Sequence, residues 1–207
     1  MNPEVFVSGA IIGVMLAAPV GPLALICIHR SVTRGTLHGF ISGLGIATAD
    51  ALYAGVVASG LTLISEFLLA YQVPLRIIAG ALLLFIGYRL FRSPADTMSP
   101  RQNGNERYLH EYSTMTALTL ANVFTIVSIG IFLSGSGIVV RTASPLAGLV
   151  FATGVFTGEI IWWLAACSAL GSINHRLNPG RLLLINKISG CVITFAGILM
   201  ILSVAFL

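Results

Sequence analysis

Two acidic side chains stand in the middle of long apolar stretches: Asp50 in Gly45-Ile-Ala-Thr48-Ala-Asp50-Ala-Leu-Tyr53 and Glu159 in Gly154-Val-Phe-Thr157-Gly158-Glu159-Ile-Ile-Trp162-Trp163. An aspartate at the centre of a lipid-spanning helix costs ~2.5 to 3.5 kcal/mol on insertion scales, so such a carboxylate faces the bundle interior or a water-filled cavity and marks a proton, ion or substrate path. The competing use is structural, a carboxyl bonded to nearby hydroxyls or backbone. Trp162 and Trp163 follow Glu159 closely and lie near mid-span, where they either pack or line a cavity whose indole faces hold an ammonium. Asn122 contributes an amide that needs partners in lipid, with Thr125 one turn further on. The remaining feature is uncharged. In Ala17-Ala18-Pro19-Val20-Gly21-Pro22 each proline removes a backbone donor and pushes the residue before it out of the α region, so the helix should break there. Broken backbone in lipid is tolerated where it is buried in protein or lines a cavity, and discontinuous helices form many transporter binding sites. A simple packing kink is the plainer alternative.

The elements that must position these groups are helices in a membrane. Of 207 residues 57% are hydrophobic and 9% charged, with mean hydropathy +0.97, against about 25% charged in soluble domains. Six apolar runs, residues 5–28, 37–64, 73–91, 113–140, 145–171 and 182–207, each approach or exceed the ~20 helical residues that cross ~30 Å of hydrocarbon. The first run lacks a basic leader and reads as a retained span. Cys27, Cys167 and Cys191 have no CxxC spacing, which argues against thiol-redox or zinc chemistry; they read as small buried residues, and no cofactor is expected. The net charge of +4 is not a nucleic-acid signal, because of where it sits. Arg30, Arg34, Arg89, Arg92, Arg101, Arg107, Arg176, Arg181 and Lys187 fall on the odd connections, and Arg76 and Arg141 on the other side. The positive-inside rule then puts the odd loops in the cytoplasm and both termini outside. The bilayer is the expected partner.

His29 and His38 fall at the cytoplasmic boundary, where an amphipathic ring sits at headgroup depth. Residues 93–112, rich in Ser, Pro, Asn and mixed charge, read as a solvated connector in which His110 is exposed. It separates residues 1–92 from 113–207, three spans each.

These halves match internally. Gly45, Thr48, Asp50 and Tyr53 correspond to Gly154, Thr157, Glu159 and Trp162 at an offset of 109 residues, and Gly80 and Gly87 to Gly190 and Gly197 at 110. With three spans per half the second inserts upside down, the inverted-repeat plan of many secondary transporters. At 1.5 Å per residue, both carboxylates lie about 20 Å inside their helices, able to face one cavity. The expected fold is therefore an all-α membrane protein of six transmembrane helices in two inverted three-helix repeats. Runs one and four align less well, since a constant offset sets Pro19 against Ser128 rather than Asn122.

The chain resembles the lysine-exporter family of bacterial amino-acid exporters. The likeness is carried by Ala18-Pro19-Val20-Gly21-Pro22, Gly43-Leu-Gly45 with Asp50, Leu120-Ala-Asn122, Gly154 to Glu159, and Ser189-Gly190 with Gly197. That resemblance implies an inner-membrane protein, often oligomeric, that exports amino acids on the proton-motive force. Two departures stand out: Val123 follows Asn122 where the family commonly has proline, and the first break reads Pro-Val-Gly-Pro rather than a tighter Pro-Gly-Pro.

Together these readings give a proton-coupled exporter of an amino acid or similar zwitterion. Pro19, Val20, Gly21, Pro22, Asn122, Thr125, Trp162 and Trp163 would bind substrate, while Asp50 and Glu159 would take its ammonium or the coupled proton. A hard-cation exporter is the alternative, since carboxylates, Asn122 and Thr125 are oxygen ligands. A thiol-disulfide electron carrier would need a cysteine in run four, which has none. A membrane hydrolase would need a base at the depth of Ser128 or Ser136, and none is expected there; the chain does not read as an enzyme.

Overall fold

Proline stands first in four helices, where its missing N–H would have no intrahelical partner anyway. In a computed structural model describing residues 3–19, 21–59, 70–93, 104–122, 125–126, 128–130, 145–171 and 179–206, α1 is Pro3–Ala17, α2 Pro22–Arg34, α3 Thr36–Ala58 and α4 Gln72–Phe91. Then come α5 (Gly104–Ala121), α6 (Pro145–Gly171) and α7 (Pro179–Leu202), closed by a 3₁₀ turn at Ser203–Phe206. Pro3, Pro22, Pro145 and Pro179 are the openers. The described residues contain no strand. Thr36–Ala58, Gln72–Phe91, Pro145–Gly171 and Leu183–Ala205 are long and apolar enough to cross a bilayer, and α1 with α2 make a further span bent by 80°. The chain is thus an all-α, multi-pass membrane protein. Most of the second half of run four, and the tail of run two beyond Ser59, lie outside the described residues.

Run one breaks where its prolines require. Helix α1 ends at Ala17, Gly21 is extended (φ −92°, ψ −178°), and Pro22 begins α2. Run one does not end near Arg30, however, and no basic loop follows it. Helix α2 continues through Arg34, and Gly35 alone turns the chain into α3 at φ 106°, a left-handed conformation that L side chains adopt at a cost.

Run four also departs from expectation at both ends. Its helix starts at Gly104, so residues 104–112 are helical rather than connector, and Glu111 within them is buried. The helix stops after Ala121. The Asn122 N–H donates to the Thr119 carbonyl (3.0 Å) and the Thr125 N–H to the Asn122 carbonyl (3.1 Å), tightened i to i+3 bonds around a non-helical Asn122. A break thus exists without the proline.

Small residues let the helices approach. In α1, Gly9 and Gly13 lie on the backbone of α6 around Phe151 to Val155, and Gly154 and Gly158 of α6 lie on α1 around Phe6 to Ala10. Helices α3 and α6 run antiparallel: Gly39 meets Cys167, Gly43 meets the Trp163 ring, Gly55 meets Ala152, and Gly148 meets Ser59. Helix α5 crosses α3 at Gly45, which touches the Tyr112 carbonyl and Met115. Helices α4 and α7 pair through glycines, Gly80 against Gly197 and Gly87 against Gly190. Their outer faces present Ile77, Ile78, Phe85, Leu184, Phe195 and Leu199, the side chains a lipid-facing surface takes. Helix α2 packs on α3, α6 and α7.

Candidate functional site

The antiparallel register of α3 and α6 sets Asp50 beside Glu159. Counting from the end where Thr36 meets Gly171, Asp50 is about 21 Å and Glu159 about 18 Å deep at 1.5 Å per residue, so the two stand at one level. Both are buried, Glu159 with 0% exposure and Asp50 with 6%. Their carboxyl groups face each other within interaction range, yet neither Glu159 oxygen nor Oδ1 of Asp50 has a hydrogen-bond partner. Trp163, one turn beyond Glu159, turns its indole N–H towards the same carboxyl without closing a bond.

The surroundings account for this isolation. One apolar cluster gathers Ala17, Ala24, Cys27, Ile46, Met115, Trp163 and Cys167; the other gathers Ile12, Tyr53, Ala54, Ile126, Ile129, Phe151 and Val155. Along α3, Asp50 falls between Ile46 and Tyr53; along α6, Glu159 falls between Val155 and Trp163. The carboxyls therefore sit at the seam between two dry clusters, with no described cation paired to them. Buried polar groups are ordinarily satisfied, and burial without a partner is expensive. A site that bears that cost is suited to a ligand that supplies the missing partner.

The two helix breaks adjoin this seam. Ala17 and Ala24, on either side of the first, pack in the cluster that holds Trp163, with Leu23 and Trp162 against it. Gly21 caps α2 with no side-chain bond, and the Leu25 N–H returns to the Gly21 carbonyl (3.0 Å). Pro22 has no N–H, so the main-chain donors of Leu23 and Ala24 are left for a ligand by helix geometry. Pro19 is exposed, Gly21 and Pro22 are half-buried, and Val20 lies outside the described residues. The second break is tied to α3 by Tyr53, whose hydroxyl donates to the Leu120 carbonyl. Asn122 and Thr125 are half-buried there. The structure thus joins Asp50, Glu159 and Trp163 directly, and sets both breaks against their flanks.

A second polar cluster was not legible from spacing. Arg34 Nη1 donates to Glu111 Oε1 (2.8 Å), His38 Nδ1 is 2.7 Å from Glu111 Oε2, and Arg107 Nε lies 3.7 Å from Oε1. Arg30 Nη1 donates to the Ser42 hydroxyl (2.8 Å) and the Glu111 carbonyl (3.1 Å). His29 Nε2 is 2.8 Å from Asn186 Oδ1, whose amide reaches the Ser93 carbonyl (3.4 Å). The interfacial reading of His29 is therefore corrected: it is buried, as are Arg30 and Glu111. His38 is likewise engaged rather than idle, while His110 is exposed as expected. The one sequence clue was Arg107 four residues before Glu111, an ion-pair spacing on a helix. Among the described residues no three His, Cys, Asp or Glu side chains are grouped to hold a metal ion.

Comparison with known proteins agrees with this architecture. The chain is 27% identical over 201 residues to the "Putative amino acid efflux protein YcgF" of Bacillus subtilis, covering 94% of this chain and 93% of that one. It is 25% identical over 170 residues to the "Chemotactic transduction protein ChpE" of Pseudomonas aeruginosa, covering 80% and 81%. No solved structure matches. The profile of the LysE type translocators matches residues 14–204, a span that contains both breaks, both carboxyls and the arginine cluster, and the chain belongs to that family.

Proposed function

We propose that this transporter exports an amino acid or related small zwitterion across the bacterial inner membrane by proton antiport. The observation that carries the reading is the pair Asp50 and Glu159, buried side by side with oxygens that lack partners, next to a helix whose first turn offers free N–H groups. A zwitterion complements both halves: its carboxylate suits the positive N-terminus of α2 and its ammonium suits the carboxyl pair. The Trp163 ring beside that pair adds a face for the cation.

Antiport follows from the same economy of partners. The carboxyl pair is neutralised by a bound proton or by a substrate ammonium, and the dry seam has no third cation to offer. Proton and substrate then exclude each other, and alternate access converts that exclusion into exchange. The inverted-repeat plan agrees with the packing, in which α1 lies on α6 as α5 lies on α3 and the α4 and α7 glycines meet crosswise. The name of the Bacillus relative supports amino-acid cargo.

Uptake into inverted membrane vesicles tests the proposal, with a panel of labelled amino acids and divalent cations and with the proton gradient intact or collapsed. At least one amino acid should accumulate, and only with the gradient. Accumulation of a cation and of no amino acid would replace the zwitterion with an ion.

A further inference from the structure

We propose that α2 is the gate on the arginine-bearing side of the transporter, hinged at Ala18–Gly21 and latched by Glu111. The proposal rests on the transporter reading above but not on its substrate. Helix α2 has an articulated end and a fastened end. At the first, the chain turns by 80° through an extended Gly21 without a side-chain cap, and a methyl group at Gly21 would touch nothing. At the second, His29, Arg30, Ser31 and Arg34 bond four partners on other elements: Asn186 of α7, Ser42 of α3, the Cys167 carbonyl of α6, and Glu111 of α5. These are the printed side-chain bonds from α2 to other helices, and all lie in its last two turns.

Glu111 is the centre of the fastening. Its carboxylate takes Arg34 from α2 and His38 from α3, with Arg107 of its own helix behind, and its carbonyl takes Arg30. It is 1% exposed. A buried carboxylate joined to several helices binds strongly while its partners remain, and the assembly loosens sharply when it is removed. Beneath this latch, Cys27, Ile26, Met115, Trp163 and Cys167, all with 2% exposure or less, close the path from this side to Asp50 and Glu159. Release of the latch lets α2 turn about its hinge and opens the plug, as a path to the carboxyls from the arginine-bearing side requires. Alternating access needs such a bistable element.

The native thiols report the motion. In the full-length Cys191→Ser protein in membranes, Cys27 and Cys167 are shielded in the latched state. Glu111→Gln keeps the shape and removes the charge. It should speed N-ethylmaleimide labelling of Cys27 at least tenfold, while an Ile193→Cys reporter in the α7 core labels at the rate it has with Glu111 intact. Unchanged labelling of Cys27, or equal acceleration at both positions, would overturn the gate. If Glu111→Gln does not fold, an Arg34→Cys, Glu111→Cys pair in a background without the native cysteines decides. Oxidation to the disulfide should stop uptake of whichever labelled amino acid the unsubstituted protein accumulates in inverted vesicles, and reduction should restore it; undiminished uptake when cross-linked refutes the latch. Should no amino acid accumulate at all, the substrate proposal fails while the labelling still judges the gate.

Discussion

Gly21 distinguishes a packing kink from a substrate site. Its backbone is extended at φ −92° and ψ −178°, a conformation alanine adopts freely before proline, and a Cβ there meets nothing within 4 Å. If the break serves only to bend the helix, Gly21→Ala is silent. If the first turn of α2 receives a substrate carboxylate, the added methyl stands where the ligand must come close to the N–H groups. Loss of one hydrogen bond to a charged group costs about 1.5 to 3 kcal/mol, which is roughly a 10- to 150-fold rise in apparent KM. The assay is concentration-dependent uptake into inverted vesicles, with thermal melting in detergent as the control. The melting temperature should stay within about 1 °C of the unsubstituted protein. A KM unchanged within twofold, in protein that melts normally, would refute the assignment of this break to substrate binding.

Two substitutions test the packing that holds the site. At Gly158 a methyl group would overlap the Ala10 backbone. Overpacking of about 1 to 3 kcal/mol exceeds the ~1 kcal/mol that alanine gains in a helix, so Gly158→Ala should lower the melting temperature by about 2 to 8 °C. At Gly35, φ of 106° is strained for alanine, and Gly35→Ala should destabilise by about 1 kcal/mol or more, read in the same melting assay and with faster exchange of amides in the last turn of α2.

The parts legible in the sequence are those that lipid makes conspicuous. A carboxylate among alanines and isoleucines stands out at Asp50 and Glu159, and the 109-residue offset ties the two together before any fold is known. Proline left the first break equally plain, because the ring forbids the hydrogen bond whatever its surroundings. The second break lacked that signal: Asn122 ends a helix through a local shift to i to i+3 bonding, which neighbouring valine and phenylalanine do not announce. Arg30 and Glu111 were misread for a different reason. Charge at the end of an apolar run ordinarily means water, and the partners that bury these groups come from α3 and α5, far along the chain. Residues 104–112 have a loop's composition but a helix's partners. His29 was assigned to the interface because its partner, Asn186, lies 157 positions away. In each case the deciding contact is tertiary.

Proton movement driven by substrate tests the central claim most directly. Purified protein in liposomes, loaded with a pH-sensitive dye and given the amino acid found by vesicle uptake, should move protons in the direction opposite to the amino acid, and a protonophore should erase the signal. Asp50→Asn should insert, fold and melt normally, yet move no protons, because an amide cannot exchange a proton for an ammonium. Proton flux at the unsubstituted rate in Asp50→Asn would contradict the account.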